Sequence, residues 1–427
     1  MGMTLNDTPS ADRTHIAFFG RMNSGKSSLV NALTGQQVSI VSQTGGTTTD
    51  LVKKPIEIHG IGPCVFIDTA GFDDNSGLGE SRIEKAKLAL QQADLAVIVF
   101  DASYFVSDAG KHSEDFKLER QWYGLLQKNN TPVILAVNKT DAGKEPGSIA
   151  KLAEKIRTEF QKEPIPVSAL TSDGIESLKQ ELIRTAASEQ EEMRFITGNL
   201  AKEGDTVLLV MPQDKQAPKG RLILPQVQTI RELLDKKCMA VCVTPEQLDQ
   251  SFASLRQPPA LIITDSQVFA SVYEKKPDKS RLTSFSVLFA AYKGDIDYYV
   301  KGAAAIENLT QQDKVLIAEC CSHAPLSEDI GRVKLPRLLR KKAGPALTVD
   351  VVSGADFPKD LSEYRLVIQC GACMFNRRFV MARVNAAREQ NVPMTNYGVA
   401  IAYLSGILDK IELPGMQEKE SAGGAGR

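Results

Sequence analysis

A glycine-rich stretch near residue 20 has the composition of a phosphate-binding loop. Residues 20–27 read GRMNSGKS, which fits the pattern G-x-x-x-x-G-K-[ST] without a mismatch. The β-rich run HIAFF precedes the stretch and the helical pattern SSLVNAL follows it, so the loop connects a strand to a helix. Backbone N–H groups of such a loop and the helix N-terminus bind phosphate oxygens. We therefore predict a nucleotide site formed by Gly20, Asn23, Ser24, Gly25, Lys26, Ser27 and Ser28.

Further residues follow in the order that nucleotide hydrolysis requires. Lys26 should reach the β- and γ-phosphates as a catalytic group, and Ser27 should hold Mg²⁺. Asp68 ends the strand PCVFID, where it can hold the same ion through water, and the N–H of Gly71 can meet the γ-phosphate. The segment GGTTTD supplies Thr48, or else one of the threonines on either side of it, as a contact to Mg²⁺ and the γ-phosphate.

The segment NKTD at residues 138–141 indicates which base the site accepts. The carboxylate of Asp141 can accept two hydrogen bonds, from the N1 and N2 donors of guanine. Adenine lacks that donor pair and would leave the carboxylate without partners. Asn138 and Lys139 precede it, and Ser168 and Ala169 complete the base pocket. The sequence therefore predicts GTP as the nucleotide.

Cysteines at the ends of two apolar runs form a second group with chemical potential. The run KVLIAE leads to Cys321 and His323, and the run RLVIQ leads to Cys370 and Cys373. Both runs have the composition of buried parallel strands, and ligands gather beyond the carboxyl ends of such strands. If the two strands are neighbours, three thiols and one imidazole converge. On spacing alone, a zinc site, an iron–sulfur cluster and free buried thiols all remain open.

Two observations count against a zinc ribbon. The chain has a single Cys-x-x-Cys, and the domain that carries it is large enough to fold without a metal. Cys320 should point back into the core, because neighbouring strand residues face opposite sides. Cys64, Cys238 and Cys242 lie within apolar runs and are expected to be small buried side chains.

The rest of the chain supplies the elements that position these groups. Between residues 14 and 188, runs such as LAVIVFD and PVILAVN alternate with amphipathic helical patterns such as GIESLKQELIRTAA. This alternation predicts an α/β fold, a doubly wound P-loop GTPase domain with a mostly parallel sheet, followed by two smaller α/β domains. The predicted boundaries are a flexible N-terminus at 1–13, the GTP-binding domain at 14–188, further domains at 189–264 and 265–416, and a disordered tail at 417–427.

Composition limits the classes of partner. The 427 residues are 42% apolar and 24% charged, which is typical of a soluble globular chain, and the net charge is −1. No whole-chain field attracts nucleic acid or an anionic membrane, and no window approaches about 18 consecutive apolar residues. The first residues lack the basic and apolar regions of a signal peptide. We expect a cytoplasmic protein without membrane or nucleic-acid partners.

The nucleotide motifs together resemble those of the TRAFAC GTPases, in particular the TrmE, Era and Der branch. Phe72 stands where Ras-like enzymes have the glutamine that orients water, so the chain is similar to members with a hydrophobic residue there. Asn23 matches the asparagine that helps to coordinate K⁺ in potassium-stimulated members; alternatively, Asn23 only shapes the loop. The resemblance implies slow GTP hydrolysis that is raised by K⁺ or by pairing of two such domains.

With its late cysteines, the whole chain resembles the HydF family of [FeFe]-hydrogenase maturation GTPases. The family motif is Cys-x-His followed at long range by His-Cys-x-x-Cys. Cys321, His323, Cys370 and Cys373 match this motif, whereas Gln369 stands where the second histidine is expected. Glutamine is a poor iron ligand, so we do not expect position 369 to supply a cluster ligand in this chain, as the histidine of the family motif would.

This resemblance implies a role for each C-terminal domain. Residues 189–264 would form a dimerisation domain, and residues 265–416 would bind a [4Fe–4S] cluster through the three cysteines. The fourth iron would be open or weakly held, with His323 or Glu328 as the candidate ligand. Such a site would suit a scaffold that carries a transient diiron cluster.

The implied partners follow from the same family. The homodimer would deliver the diiron precursor to apo-[FeFe]-hydrogenase, and two radical-SAM enzymes would build the ligands of that precursor. A zinc-stabilised GTPase of the TrmE, Era and Der type, acting in RNA modification or ribosome assembly, is the alternative, because the GTP-binding domain alone does not separate the two functions.

Overall fold

The structure is a computed structural model, which describes residues 13–34, 52–69, 88–105, 116–142, 147–190, 195–212, 222–320, 329–354, 356–372 and 375–415. Every structural statement below refers to these residues. The chain folds as two compact units, residues 1–193 and 194–427. None of the helices within the described ranges is long and apolar enough to cross a membrane.

The first unit contains a six-stranded sheet. Its strands are β1 (Thr14–Gly20), β2 (Val52–Ile58), β3 (Gly62–Asp68), β4 (Leu95–Asp101), β5 (Val133–Asn138) and β6 (Ile165–Pro166), and its labelled helices are α1 (Lys26–Thr34), α2 (Ala102–Phe105), α3 (Lys117–Lys128), α4 (Ser148–Phe160) and α5 (Ile175–Gln190). The strand order is β2-β3-β1-β4-β5-β6, and only the β2–β3 pair is antiparallel.

Hydrophobic side chains cover both faces of this sheet. All seven residues of β4 are buried, as a continuous apolar strand with helices on either side requires. On one face Phe100 packs with Trp122 of α3 and Phe160 of α4, and on the other Val99 packs with Leu178 of α5. The chain order reverses between β3 and β4, with β1 between them, so a ligand crevice is expected at the carboxyl ends of these strands.

The second unit contains two four-stranded sheets, each fully parallel. The first of them has the order β10-β9-β7-β8. Its strands are β7 (Thr206–Val210), β8 (Met239–Val243), β9 (Leu261–Thr264) and β10 (Arg281–Ser284), and its helices are α6 (Leu224–Asp235), α7 (Leu248–Ser254), α8 (Phe269–Lys275) and α9 (Phe285–Lys293). Strand β10 lies beyond residue 264, so this sheet extends into the range that we assigned to the last domain.

The other sheet of the second unit has the order β12-β11-β13-β14. Its strands are β11 (Lys314–Ala318), β12 (Thr348–Val352), β13 (Leu366–Gln369) and β14 (Met394–Asn396), and its helices are α10 (Ile296–Ala303), α11 (Leu335–Ala343), α12 (Arg377–Glu389) and α13 (Tyr397–Leu404). Short turns of 3-10 or π helix connect several of these elements. The predicted fold class, a P-loop GTPase domain with two further α/β domains, is confirmed.

Helix α9 joins the two sheets of the second unit. It packs against α12 and α13, which belong to the last sheet. At Gly398 of α13, an added Cβ would lie 2.6 Å from the Cβ of Ser286 on α9. Only glycine permits this separation, since real Cβ contacts are never so short. The two C-terminal sheets therefore share one packed interface.

Candidate functional site

The phosphate-binding loop lies between β1 and α1, as its sequence predicts. Gly25 has φ +86°, and an added Cβ would lie 2.2 Å from the side-chain nitrogen of Asn138, so glycine is required twice over. Asn23, at φ +61°, also adopts the left-handed conformation. Lys26 is buried, and its ammonium donates to the carbonyls of Gly20 (3.1 Å) and Arg21 (2.9 Å). The loop thus brings one cation and a row of backbone groups to the strand end.

Next to the loop, a hydroxyl and a carboxylate meet. The hydroxyl of Ser27, in the first turn of α1, donates to the carboxylate of Asp68 at the end of β3. Thr69 fixes the chain just after this strand, because its hydroxyl donates to the carbonyl of Phe18 at 2.7 Å. Oxygen ligands of this type are those that Mg²⁺ prefers. Ser28, the remaining loop residue of the predicted site, lies exposed in the same helical turn.

The base-binding segment connects to the phosphate loop through Asn138. Its side-chain nitrogen donates to the carbonyl of Ser24 at 2.9 Å, and its side-chain oxygen accepts from the N–H of Ala169 at 3.1 Å. One amide therefore holds the two ends of the predicted nucleotide site in register. Lys139, at φ +62°, is anchored by an ion pair with Asp101 at 2.7 Å.

The residue predicted to select guanine is held by its neighbour. The hydroxyl of Ser168 donates to the carboxylate of Asp141 at 2.5 Å, and it accepts from the N–H of Thr171 at 3.1 Å. Asp141 itself is exposed. The carboxylate is thus oriented by a buried serine while it faces solvent, as a base-contacting group should be.

Sequence reasoning missed an ion pair behind the loop. The guanidinium of Arg21 contacts the carboxylate of Glu119 at 2.7 and 3.1 Å and donates to the hydroxyl of Tyr104 at 3.1 Å. The Glu119 side chain on α3 is fully buried, so the pair fastens the loop to this helix. The sequence did contain a signal for this burial: Glu119 lies on the same helical face as the apolar Trp122 and Leu126, which follow it by three and seven residues.

The two strands that lead to the cysteines are direct neighbours. Strands β11 and β13 pair in parallel, with Ala318 opposite Gln369. Just beyond the pair, the backbone N–H of Cys320 donates to the sulfur of Cys370 at 3.1 Å. Cys320 is 1% exposed, which agrees with the expectation that its side chain points into the core. The chain segments that carry the predicted cysteine ligands therefore meet at this sheet edge, as far as the described residues extend.

Gln369, which replaces the family histidine, is engaged inside the core. It is fully buried, and its amide nitrogen donates to the sulfur of Cys320 at 2.8 Å. Its amide oxygen accepts from the guanidinium of Arg383 at 3.3 Å. The side chain at this position thus serves a polar cluster beneath the sheet edge.

The surroundings of Cys370 favour its thiolate form. A hydrogen bond from Cys320 lowers the pKa of the Cys370 thiol, burial opposes this effect, and the N–H groups of Ala372 and Cys320 lower the pKa further. The same hydrogen bond, together with burial, raises the pKa of the Cys320 thiol. A metal-ligating sulfur must be a thiolate, so the direction of the shift at Cys370 suits a ligand role.

Several predicted site residues lie outside the described ranges. They are Thr48, Gly71, Cys321, His323, Glu328 and Cys373. Among the residues that the structure does describe, no three His, Cys, Asp or Glu side chains are grouped so that they could hold a metal ion. Of the predicted cluster ligands, Cys370 is the one within the described ranges.

One expectation about the cysteines is wrong. Cys64 and Cys238 are buried, but Cys242 is exposed on β8. Strand β8 is at the edge of its sheet, and its Met239 is 59% exposed. An apolar run does not reveal whether both faces of a strand are covered, which explains the error. Helix α6 and the residues before it add further exposed apolar side chains, namely Leu222, Ile223, Val227 and Leu234.

Comparison with protein families assigns three regions of the chain. The model described as 50S ribosome-binding GTPase matches residues 15–139. The hydrogen maturase F dimerization domain matches residues 196–294, and the hydrogen maturase F tetramerization domain matches residues 297–413. The dimerization-domain match contains the whole β10-β9-β7-β8 sheet, and the tetramerization-domain match contains the whole β12-β11-β13-β14 sheet.

Curated relatives match only part of the chain. The tRNA modification GTPase MnmE of Coxiella burnetii (strain RSA 493 / Nine Mile phase I) is 35% identical over 177 residues, 41% of this chain and 35% of that protein. GTPase Der of Kosmotoga olearia is 31% identical over 202 residues, 44% of this chain and 42% of that protein. The chain thus spans about a third to two fifths of the length of these relatives.

Two solved structures also match part of the chain. A crystal structure of Era in complex with MgGDPNP and nucleotides of 16S ribosomal RNA has a TM-score of 0.33 and 21% identity, covering 54% of this chain and 92% of that chain. A probable GTP-binding protein, engB, has a TM-score of 0.33 and 27% identity, covering 41% of this chain and 99% of that chain.

Proposed function

Because the chain is a HydF-type GTPase with C-terminal dimerization and tetramerization domains, we propose that it hydrolyses GTP and carries an iron–sulfur cluster in hydrogenase maturation. In this proposal the protein is a scaffold that assembles a diiron precursor and delivers it to apo-[FeFe]-hydrogenase. The observation that carries the proposal is the contact between Cys320 and Cys370 at the adjoining ends of β11 and β13.

GTP hydrolysis uses the groups around the phosphate loop. Lys26 moves from the loop carbonyls to the β- and γ-phosphates, where its charge offsets the charge that develops on the transferred phosphoryl group. Ser27 and Asp68, which are in contact, would hold Mg²⁺ together with Thr48, and the ion would supply positive charge to offset that of the phosphates. The N–H of Gly71 contacts the γ-phosphate.

The rate of this step is slow and depends on potassium. Phe72 offers no polar group to orient water, so the chain supplies less assistance than an enzyme with glutamine at that position. Asn23, held in the left-handed conformation, would help to bind K⁺ beside the phosphates. Stimulation by K⁺ supports this assignment, and equal rates in K⁺ and Na⁺ contradict it.

Guanine is recognised by Asp141 and the backbone near Ala169. Ser168 orients the carboxylate towards the N1 and N2 donors of the base, and Asn138 keeps this pocket in register with the phosphate loop. Lys139 packs along the base while its ammonium stays paired with Asp101.

The residues at the sheet edge fit a cluster bound by cysteine thiolates. Cys370 receives hydrogen bonds from Cys320 and from two backbone N–H groups, which is the environment of a metal-bound sulfur. Cys321 and Cys373 are the further cysteine ligands, and His323 or Glu328 completes a [4Fe–4S] site whose fourth position is exchangeable. Gln369 is not a ligand, because both ends of its amide are engaged in the core.

The cargo is the diiron unit, and its chemistry comes from partner enzymes. The chain contains no Cys-x₃-Cys-x₂-Cys segment, so the radical-SAM chemistry that builds the diiron ligands belongs to two other proteins. Cys321, Cys370 and Cys373 would hold the cluster, and an exchangeable fourth ligand would let this site take up the precursor and release it to the apo-hydrogenase in the cytoplasm.

The protein acts as a homodimer through the β8 edge. This strand leaves one row of backbone hydrogen-bonding groups beyond its sheet, and it carries the exposed Met239 and Cys242. The exposed apolar residues of α6 extend the same surface. A second copy covers both by pairing strand with strand.

Metal analysis and EPR of anaerobically reconstituted protein test the cluster. We expect about four iron atoms per chain and a signal after reduction that changes when imidazole or cyanide is added. Zinc as the only metal would instead support an RNA-related GTPase with a structural zinc site. Iron that does not respond to either added ligand would contradict the exchangeable position.

A further inference from the structure

A cation lies in the core directly beneath the sheet edge that carries Cys370. Arg383, on the second turn of α12, is 3% exposed. Its guanidinium lies between two aromatic rings, 4.9 Å from the centroid of Phe357 and 4.7 Å from that of Phe379. Burial of a charge in such surroundings is unfavourable unless another charge or a set of hydrogen bonds compensates for it.

The hydrogen-bond partners of Arg383 are all uncharged groups. The guanidinium donates to the carbonyls of Glu319 (3.3 Å) and Gly354, to the amide oxygen of Gln369 (3.3 Å) and to the sulfur of Cys320 (3.5 Å). Within the described part of the chain, no carboxylate forms an ion pair with it. The contrast is Arg21 in the first unit, whose guanidinium is paired with the buried Glu119.

A second buried cation contacts the chain that follows Cys370. Lys293, the last residue of α9, is 3% exposed, and its ammonium donates to the carbonyls of Ala372 (3.1 Å) and Phe375 (2.9 Å). These carbonyls belong to the loop that follows Cys370. The backbone N–H of Ala372 is directed to the sulfur of Cys370. Both cations therefore lie near one cysteine.

The negative charge that would compensate Arg383 is the one that the sheet edge would acquire on binding metal. A cluster held by cysteine thiolates is anionic, and it gains a further negative charge when it is reduced. Hydrogen bonds and buried charges near the sulfurs are among the factors that set its reduction potential. The neutral hydrogen-bond partners of Arg383 orient the guanidinium but leave its charge uncompensated.

We propose that Arg383 and Lys293 are positioning residues that stabilise the reduced form of the cluster and so raise its reduction potential. The inference rests on the proposed function, because it requires that Cys370 binds an iron–sulfur cluster. Arg383 acts through the Cys320 sulfur and the Gln369 amide that lie against Cys370, and Lys293 acts through the loop. Neither residue is a metal ligand.

An EPR-monitored redox titration of reconstituted protein tests this role. We expect Arg383→Met to bind the cluster and to titrate at a more negative potential than the unsubstituted protein. A tenfold loss in the relative stability of the reduced form corresponds to a shift of about 59 mV for one electron. Arg383→Lys keeps the charge and should recover most of the shift, although it cannot reproduce the same hydrogen bonds.

Arg388→Met is the matched control. Arg388 lies on the same helix, but it is half exposed and paired with Asp295, so its loss should leave the potential unchanged. If Arg383→Met binds the cluster at the original potential, or if Arg383→Lys shifts as far as Arg383→Met, the inference is overturned.

A second substitution covers the case in which Arg383→Met does not fold. Lys293→Met should also lower the potential, and Lys293→Arg should restore it, with folding checked by circular dichroism. An unchanged potential in folded Lys293→Met then overturns the inference. Absence of any cluster in the unsubstituted protein is a different result, since it removes the proposed function itself.

Discussion

The backbone N–H of Cys320 donates a hydrogen bond to the sulfur of Cys370 over 3.1 Å, although the two residues are 50 positions apart in the chain. The contact exists because β11 and β13 are adjacent and parallel, so both chain segments leave the sheet at the same edge. It also explains why the cysteines of two distant motifs are candidates for one site.

Removal of a phosphate-loop side chain should abolish GTP turnover. Lys26→Ala and Ser27→Ala each delete a group that we propose contacts the phosphates or a magnesium ion, and we expect kcat to fall by about 100-fold or more. Phosphate release measures the loss, and exposed Lys151→Ala on α4 is the control. Iron content should be the same in all of these proteins, because the predicted ligand cysteines lie in the other unit. Turnover that persists in both variants would refute the phosphate site.

Base specificity should change on substitution of Asp141. Asp141→Asn replaces an acceptor by an amide that can donate to the second carbonyl of xanthine, so GTP binding should weaken by about 100-fold while xanthosine triphosphate binding improves. Competition with a fluorescent nucleotide measures both. Ser168→Ala removes only the orienting hydrogen bond and should weaken GTP binding by about tenfold without a change of base. Unchanged preference for GTP in Asp141→Asn would rule out the assigned contact.

Substitution of the cysteine at the end of β13 should remove iron selectively. Cys370→Ser deletes a ligand of the proposed cluster, so the reconstituted protein should lose most of its iron and its EPR signal, with GTP turnover within about twofold of normal. Cys238→Ser is the control. Cys238 is also buried, but its thiol donates to the carbonyl of Lys202, and neither residue belongs to the proposed cluster site. Equal iron in the two variants would leave Cys370 without a ligand role.

The ion pair behind the phosphate loop should contribute to stability. Glu119→Ala leaves the largely buried guanidinium of Arg21 without its carboxylate, and we expect the free energy of unfolding of the first unit to fall by about 3 to 5 kcal/mol. Arg21→Met combined with Glu119→Leu should recover much of this loss, because neither charge then remains buried. Urea denaturation measures both. A loss below about 1 kcal/mol in Glu119→Ala would mean that the pair is not a significant stabilising contact.

The oligomer should depend on the edge strand β8. Met239→Glu places a charge on its exposed apolar surface, which the isolated subunit tolerates but a strand-to-strand contact does not. Light scattering should therefore report a smaller assembly. Lys279→Glu, just before the opposite edge strand β10, is the control and should leave the mass unchanged. A full-size assembly in Met239→Glu would place the contact elsewhere.

Long elements of uniform character could be predicted from the sequence. Strand β4 and helix α6 follow continuous or periodic apolar patterns, and the phosphate loop has a fixed spacing, so each was predicted with its correct type. The short strands β10 and β14 were not predicted. They have four and three residues, some of them polar, which is too short for a periodic apolar pattern to be recognised. Strand β2 of the first sheet was not predicted either, because its antiparallel pairing with β3 depends on the turn between them and not on an apolar periodicity.

Contacts between distant side chains were the other part that the sequence could not supply. Arginine is usually exposed, so nothing at position 383 distinguishes this residue from Arg388 on the same helix. Its burial depends on the space between Phe357 and Phe379, which only the folded chain defines. The pairing of Arg21 with Glu119 depends in the same way on the packing of α3.

The position of Lys293 has a consequence for how the chain can be divided. The family models place the end of one module at residue 294 and the start of the next at residue 297. A polypeptide that begins after that junction would lack the ammonium group that holds the Ala372 and Phe375 carbonyls, and it would expose Gly398 where Ser286 had lain. The boundary between the two family modules therefore separates Lys293 from the carbonyls that it contacts near Cys370. We expect that the last module, expressed without α9, does not keep the native conformation around Cys370.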